Sequence, residues 1–331
     1  MSRSATGLPF DDFRALIAQM PGRDEAAVAA IRARDGELTK PAGSLGRMED
    51  LVEWLGGWQG AAQPAVNRPL VAIFAGNHGV AAHGVSAFPS SVTQQMVENF
   101  AAGGAAINQI CIANDLSLKV FDLALDIPTG DITFEAAMDE AGCAATMAFG
   151  MESIAGGADL LCVGAAGGGN LVVASAVAAK LYGDKAADWC DDARLIDTIN
   201  LALETHVSAQ DPLEILRQLG GRELAAMAGA IIAARFQLIP VLLDGFVACV
   251  AAAVLHKAEP SALDHCLAAH ASGSAPHARL LQKLGKTPLL ETGILLEDGT
   301  GAAFSLALLR GAVACHNEMA TNMQLGTTLN T

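Results

Sequence analysis

Positive charge is scarce in this 331-residue sequence: 20 Lys and Arg stand against 35 Asp and Glu, for a net charge of −15. Binding a nucleic-acid backbone takes clustered cations, so the balance argues against a DNA- or RNA-binding role. It does not exclude a small phosphorylated ligand, which backbone N–H groups at a helix N-terminus can hold without any Lys or Arg. Aromatic residues make up only 5% of the chain. The seven cysteines (Cys111, Cys143, Cys162, Cys190, Cys249, Cys266 and Cys315) are odd in number and form no C-x-x-C pair. That spacing speaks against a zinc site or a disulfide framework and for buried, reduced thiols. Gly or a charged residue interrupts every apolar run before the roughly 20 residues that span a membrane. The early residues are acidic and not signal-like, so a cytoplasmic protein is expected. No internal repeat or low-complexity linker is visible.

What is present is 52% apolar residues, only 17% charged ones and much Ala and Gly. This is the composition of closely packed helices on a sheet. The short run at 69–76, apolar on both faces, and similar short runs at 118–124, 160–164 and 240–243 read as buried parallel strands. Each leads through a loop to a helix-like stretch, at 92–111, 144–155, 171–181 and 246–256. The first 60 residues read as helical, with Asp24 as a cap, and a last helix covers 302–320. The expected fold class is therefore α/β, a Rossmann-like parallel sheet with helices on both faces. Residues 66–304 form the sheet domain, and 1–65 with 305–331 a small helical domain built from the chain ends. Ligands on such sheets bind beyond the C-terminal strand ends, so the chemistry is sought in the loops there.

Three loops qualify, each with a plainer reading beside the functional one. Gly76-Asn77-His78-Gly79-Val80, continuing through Gly84-Val85-Ser86-Ala87-Phe88-Pro89, offers close ligand approach at its glycines and polar groups at Asn77, His78 and Ser86; it also reads as a tight loop whose His satisfies a carbonyl. Gly164-Ala165-Ala166-Gly167-Gly168-Gly169-Asn170 reads as a phosphate cradle or as a bare turn. Glu297-Asp298-Gly299-Thr300-Gly301 supplies a candidate general base or merely a helix cap. A fourth stretch, Ala269–His277, carries two histidines with no neighbouring acid in sequence and reads as structural.

Taken together, LTKPAGSLGR (38–47), AGNHGVAAHGVSAFPSSVTQQMVENFAAGGAAIN (75–108), LGGRELAAMAG (219–229), PVLLDG (240–245) and LGKTPLL (284–290) resemble the nicotinate-nucleotide–dimethylbenzimidazole phosphoribosyltransferase family over roughly 40–320. The resemblance implies transfer of ribosyl phosphate from nicotinate mononucleotide to dimethylbenzimidazole, giving α-ribazole phosphate, a piece of cobalamin. It implies no metal or redox cofactor and a homodimer with sites between subunits. Carried over by motif, Asn77, His78, Ser86, Gln95 and Leu296 fall on the base-binding side. Gly167, Gly168, Gly169, Asn170, Gly299, Thr300 and Gly301 fall on the phosphate and ribose side. Asp298 stands in place of the family's catalytic Glu, with Glu297 before it.

The nucleotide side departs from the family pattern. Where that pattern reads G-E-M-G-I-G-N-T-T, this chain has Ala165 for a carboxylate and Leu171 and Val172 for two hydroxyls. The segment 183–200 is shorter than usual and offers Asp191, Asp192 and Arg194; Ser274 replaces a further Glu. These changes leave a second reading open, a non-catalytic relative that binds an aromatic base or a partner protein. A third is an enzyme for a differently activated ribose.

Overall fold

The computed structural model describes residues 7–86 and 89–326. Ala87 and Phe88 of the first loop, and the ends of the expected helical domain at 1–6 and 327–331, lie outside the described residues. Among the described residues five strands form one parallel sheet: β1 (Pro69–Ala75), β2 (Ser117–Asp122), β3 (Leu160–Ala166), β4 (Val241–Leu243) and β5 (Cys266–Ala268), in the order β2-β1-β3-β4-β5. A separate two-stranded piece pairs β6 (His270–Ala271) with β7 (Leu290–Glu291). β1 and β3 lie side by side in the middle, buried on both faces, which is why they read as unbroken apolar runs. β2 is an edge strand and correspondingly less apolar.

Helices cover both faces: α1 (Phe10–Ala18), α2 (Glu25–Glu37), α3 (Arg47–Gln59), α4 (Ser91–Ala102), α5 (Ala106–Asn114), α6 (Glu140–Glu152), α7 (Asn170–Tyr182), α8 (Ala193–Thr205), α9 (Pro212–Leu219), α10 (Arg222–Phe236), α11 (Gly245–Ala258), α12 (Ala275–Leu284), α13 (Thr300–Glu318) and α14 (Asn322–Leu325). Alternate strand residues face opposite cores. Leu70, Ala72 and Phe74 pack with α6, α7, α10 and α11, whereas Val71, Ile73 and Leu242 pack with Ile31, Leu51, Leu55, Leu306 and Leu309 from α2, α3 and α13. The chain-end helices thus share a core with one sheet face, and the boundary expected at 304/305 falls inside α13.

Several local expectations shift for identifiable reasons. The single helix expected over 92–111 is two, because Gly103 takes a left-handed φ of +80° and its N–H turns back to Asn99 and Phe100. α6 begins four residues earlier than expected, where the Asp139 side chain accepts from Gly142 N–H at 2.6 Å. The Asp24 cap forms as read, accepting from Ala26 and Ala27 N–H.

Candidate active site

In this strand order the chain turns outward in opposite directions from β1 and β3, so a crevice opens between their C-terminal ends. Both glycine loops lie there. Gly76 N–H donates to Ala166 O at 3.0 Å, joining the loop after β1 to that after β3. Asn77 is buried and fully engaged. Its amide donates to Leu125 O at 2.9 Å and Ser90 O at 3.2 Å, and its oxygen accepts from Thr93 Oγ1 at 2.7 Å. His78 is buried against the buried Glu223 at the start of α10, with Nε2 3.1 Å from Oε1. The separation is that of an ion pair, but the alignment is not that of a directed hydrogen bond, and neither side chain has another hydrogen-bond partner among the described residues. Ser86 is partly buried, while Gln95 and Leu296 are exposed.

The second loop leads straight into α7. Gly169, at φ +89°, takes the N-cap position, and Gly168 N–H reaches Thr93 Oγ1 at 3.3 Å. Among the described residues no side chain caps this helix, so the N–H groups of its first turn point at the crevice with their partial positive charge. Of the two hydroxyl positions lost here, Leu171 is 49% exposed at the crevice, whereas Val172 is wholly buried in the core.

The carboxylate turn crosses directly over β3. A Cβ on Gly164 would stand 2.6 Å from the Asp298 carbonyl carbon, so glycine alone permits the crossing. Ala165 N–H donates to Glu297 O at 2.6 Å. The two carboxylates then part. Glu297 accepts from Phe246 N–H at 3.2 Å and Val247 N–H at 2.8 Å, capping α11. Asp298 accepts from Thr300 N–H at 3.2 Å and Thr300 Oγ1 at 2.5 Å, at the head of α13. Burial pushes the Glu297 carboxyl up to about 7, against the opposing Val247 N–H and with the help of Asp244. Burial likewise raises Asp298; the Thr300 hydroxyl opposes this and Asp244 adds to it. Asp298 is therefore both a cap and a carboxylate of enhanced proton affinity.

Sequence reasoning missed Asp244 as a site residue. Fully buried at the end of β4, it accepts from Gly299 N–H at 2.8 Å and Ala302 N–H at 2.6 Å. The N–H groups of Gly299 and Thr300, expected to face phosphate or ribose, are thus engaged by Asp244 and Asp298. Asp244 also lies 3.4 Å from His270 Nε2. The histidine stretch read as lacking an acid therefore has two carboxylates brought to it by the fold, since Ser274 Oγ donates to Asp191 at 3.1 Å. Its position just past a buried strand, in PVLLDG, was the one available signal for Asp244.

Between α7 and this turn lies a cavity of about 250 Å³, walled by Leu171, Trp189, Phe246 and Leu295, with Asp191 and Glu297 among its polar lining. Asp192, also on its wall, is paired with Arg194 at 2.5 Å. The site thus joins an uncapped helix N-terminus, an apolar cavity and a buried carboxylate of raised proton affinity. Such a set can hold an anion, enclose a ring and accept a proton.

A phosphoribosyltransferase family model, DBI_PRT, matches residues 20–326. The nicotinate-nucleotide–dimethylbenzimidazole phosphoribosyltransferase of Allorhizobium ampelinum is 60% identical over 335 residues, covering 98% of each chain. That of Brucella anthropi is 60% identical over 333 residues, again with 98% of each chain covered. Among solved structures, the enzyme of that name from Thermus thermophilus superposes with a TM-score of 0.86 at 33% identity, covering 93% of this chain and all 100% of its own. Sequence and fold agree over almost the whole length, and the chain belongs to the nicotinate-nucleotide–dimethylbenzimidazole phosphoribosyltransferase family.

Proposed function

We propose that this protein transfers the phosphoribosyl group of nicotinate mononucleotide to dimethylbenzimidazole, releasing nicotinate and forming α-ribazole phosphate. The bond from C1′ to the pyridinium nitrogen breaks and one from C1′ to the benzimidazole nitrogen forms. The leaving ring is already cationic and departs with the bonding electron pair. The benzimidazole N–H proton passes to Asp298, whose raised proton affinity suits it to the task. The backbone at Gly167–Asn170 and the first turn of α7 hold the phosphate, in line with the free N–H groups there. Ser86, Gln95 and Leu296 line the base, and Asn77 and His78 hold the loop that carries Ser86. Asp244 keeps the Asp298 turn in place. What carries the reading is that turn: the backbone that bears Asp298 crosses β3 at Gly164, and β3 itself runs into the phosphate loop, so the base and the anion site are tied to one rigid element.

The relatives at 60% identity bear an enzyme's name, which favours the catalytic reading over a non-catalytic one. We further infer a homodimer, supported by Phe304 and Leu308, one helical turn apart on α13 and 51% and 42% exposed. Nucleic acid is no partner on charge grounds, and the protein works in the cytoplasm; among the described residues no helix is long and apolar enough to cross a membrane.

The test is calorimetric titration with each substrate, then turnover with both, beside Asp298→Asn. Nicotinate release by the wild type, lowered at least about 10²-fold in the variant, is expected. Binding of the base with no turnover at high enzyme concentration overturns the catalytic reading.

A further inference from the structure

Around the Asp298 turn the fold encloses a cluster of ionisable groups, of which the proposed reaction uses only Asp298 directly. Asp244 comes from the end of β4, Glu297 and Asp298 from the turn, His270 from β6 and His277 from α12. His270 is fully buried, and its Nε2 lies 3.4 Å from Asp244 Oδ1. Its ring occupies the space left by Gly301 of α13, where a Cβ would collide with it. Neither ring nitrogen makes a directed hydrogen bond among the described residues, so the 3.4 Å contact with Asp244 acts chiefly through charge. His277 packs edge-on at 6.0 Å, takes its own partner in Ser272 Oγ at 2.9 Å, and stays neutral because burial holds it near 4. That leaves His270, facing Asp244 with Glu297 beyond it, as the group able to carry a compensating charge.

We propose that His270 is a positioning residue for the transfer reaction: as an imidazolium it balances the buried Asp244, and Asp244 in turn holds the Gly299–Ala302 segment that presents Asp298. A fully buried carboxylate without a counter-charge is strongly disfavoured, and Asp244 is fully buried with each of its two oxygens accepting from a backbone N–H group. Burial alone would lower His270, but Asp244, and Glu297 beyond it, raise it above the ordinary histidine value. The proposal rests on Asp298 being the proton acceptor, and it adds a stated dependence of that role on His270.

The experiment is the pH profile of kcat for the wild type, His270→Gln and Asp298→Asn, with thermal melts of each. In His270→Gln, Asp244 keeps its two backbone N–H donors but loses the facing imidazole beside the Asp298 turn. The acid limb of kcat then moves to higher pH by about one unit. A side chain that merely fills space would lower the melting temperature or the active fraction and leave the midpoint where it is. An unmoved or lowered midpoint therefore overturns the proposal. Should His270→Gln fail to fold, Asp244→Asn serves in its place: losing the anion moves the limb to lower pH, and an unchanged limb refutes the coupling. Wild-type turnover by Asp298→Asn would sink the base assignment itself, an outcome distinct from failure of the His270 step alone.

Discussion

At the scale of single residues, the Glu297–Asp298 pair shows how neighbours in sequence acquire different work. Both are carboxylates on one turn, yet their side chains cap different helices, α11 and α13. The chemistry of each follows from its enclosure. Glu297 binds its proton more tightly in the folded chain than in the unfolded one, with a folded value of about 7 against an ordinary 4.5. Between those values the native state holds the extra proton, so stability declines as pH rises from about 4.5 towards 7. Glu297→Gln removes the titration and keeps an oxygen to accept from Val247 N–H. Melting curves at pH 5 and pH 8 are expected to show a smaller fall for the variant than for the wild type; equal falls would refute the assignment. Legibility in sequence divides along the same line. Asp298 and Glu297 stood out as acids before a Gly-Thr-Gly turn, but Asp244 and Glu223 did not, because their partners arrive from residues 299, 302 and 78, which a strand-end position by itself does not reveal.

At the scale of elements, three helices begin near the crevice, and the chain treats their N-termini unequally. Glu297 occupies that of α11, and Asp244 and Asp298 that of α13, whereas no side chain caps α7 among the described residues. An approaching phosphate therefore meets a free helix end at α7 and occupied ones at its neighbours. The loss of the family's carboxylate and hydroxyls around 165–172 weighs less in this light, since backbone N–H groups do not depend on side-chain identity and Val172 faces the core. Gly169 holds the helix entry at φ +89°, where a side chain is strained even though a Cβ would find only ordinary contacts. Gly169→Ala is expected to cost about 1–2 kcal/mol in unfolding free energy and to raise KM for the nucleotide more than KM for the base. Denaturant melts and initial rates with each substrate varied check both parts; a KM change confined to the base would contradict the phosphate assignment. The strand–loop–helix rhythm was readable because β1 and β3 are buried on both faces. The three-residue β5 was not read, whereas the equally short β4 was, as the apolar run 240–243 that ends in Asp-Gly.

At the scale of the whole molecule, the exposed apolar residues on α13, the ground for the proposed dimer, sit on a helix that starts at Asp298's cap and ends among the chain-end helices. Phe304→Glu places a charge on that face without touching the buried one. Light scattering is expected to give a dimer for the wild type and a monomer for the variant. A wild-type monomer would remove the dimer inference, and a variant dimer would move the interface elsewhere. We propose that the stretches 1–65 and 305–331 act as a helical lobe of one cooperative unit, in keeping with the core that α2, α3 and α13 share with Val71 and Ile73.

From sequence alone came what depends on near neighbours: the alternation of strand and helix, hence a parallel sheet; the glycine loops at strand ends; and motifs dense enough to place the chain in its family. Only the tertiary structure decided which groups face one another. Asp244 meets His270 and, in the Asp298 turn, Gly299 across separations of 26 and 55 residues, and His78 meets Glu223 across 145. The reason is that proton affinity and charge balance depend on burial and on partners within a few ångströms, and both arise only once the chain has closed around them.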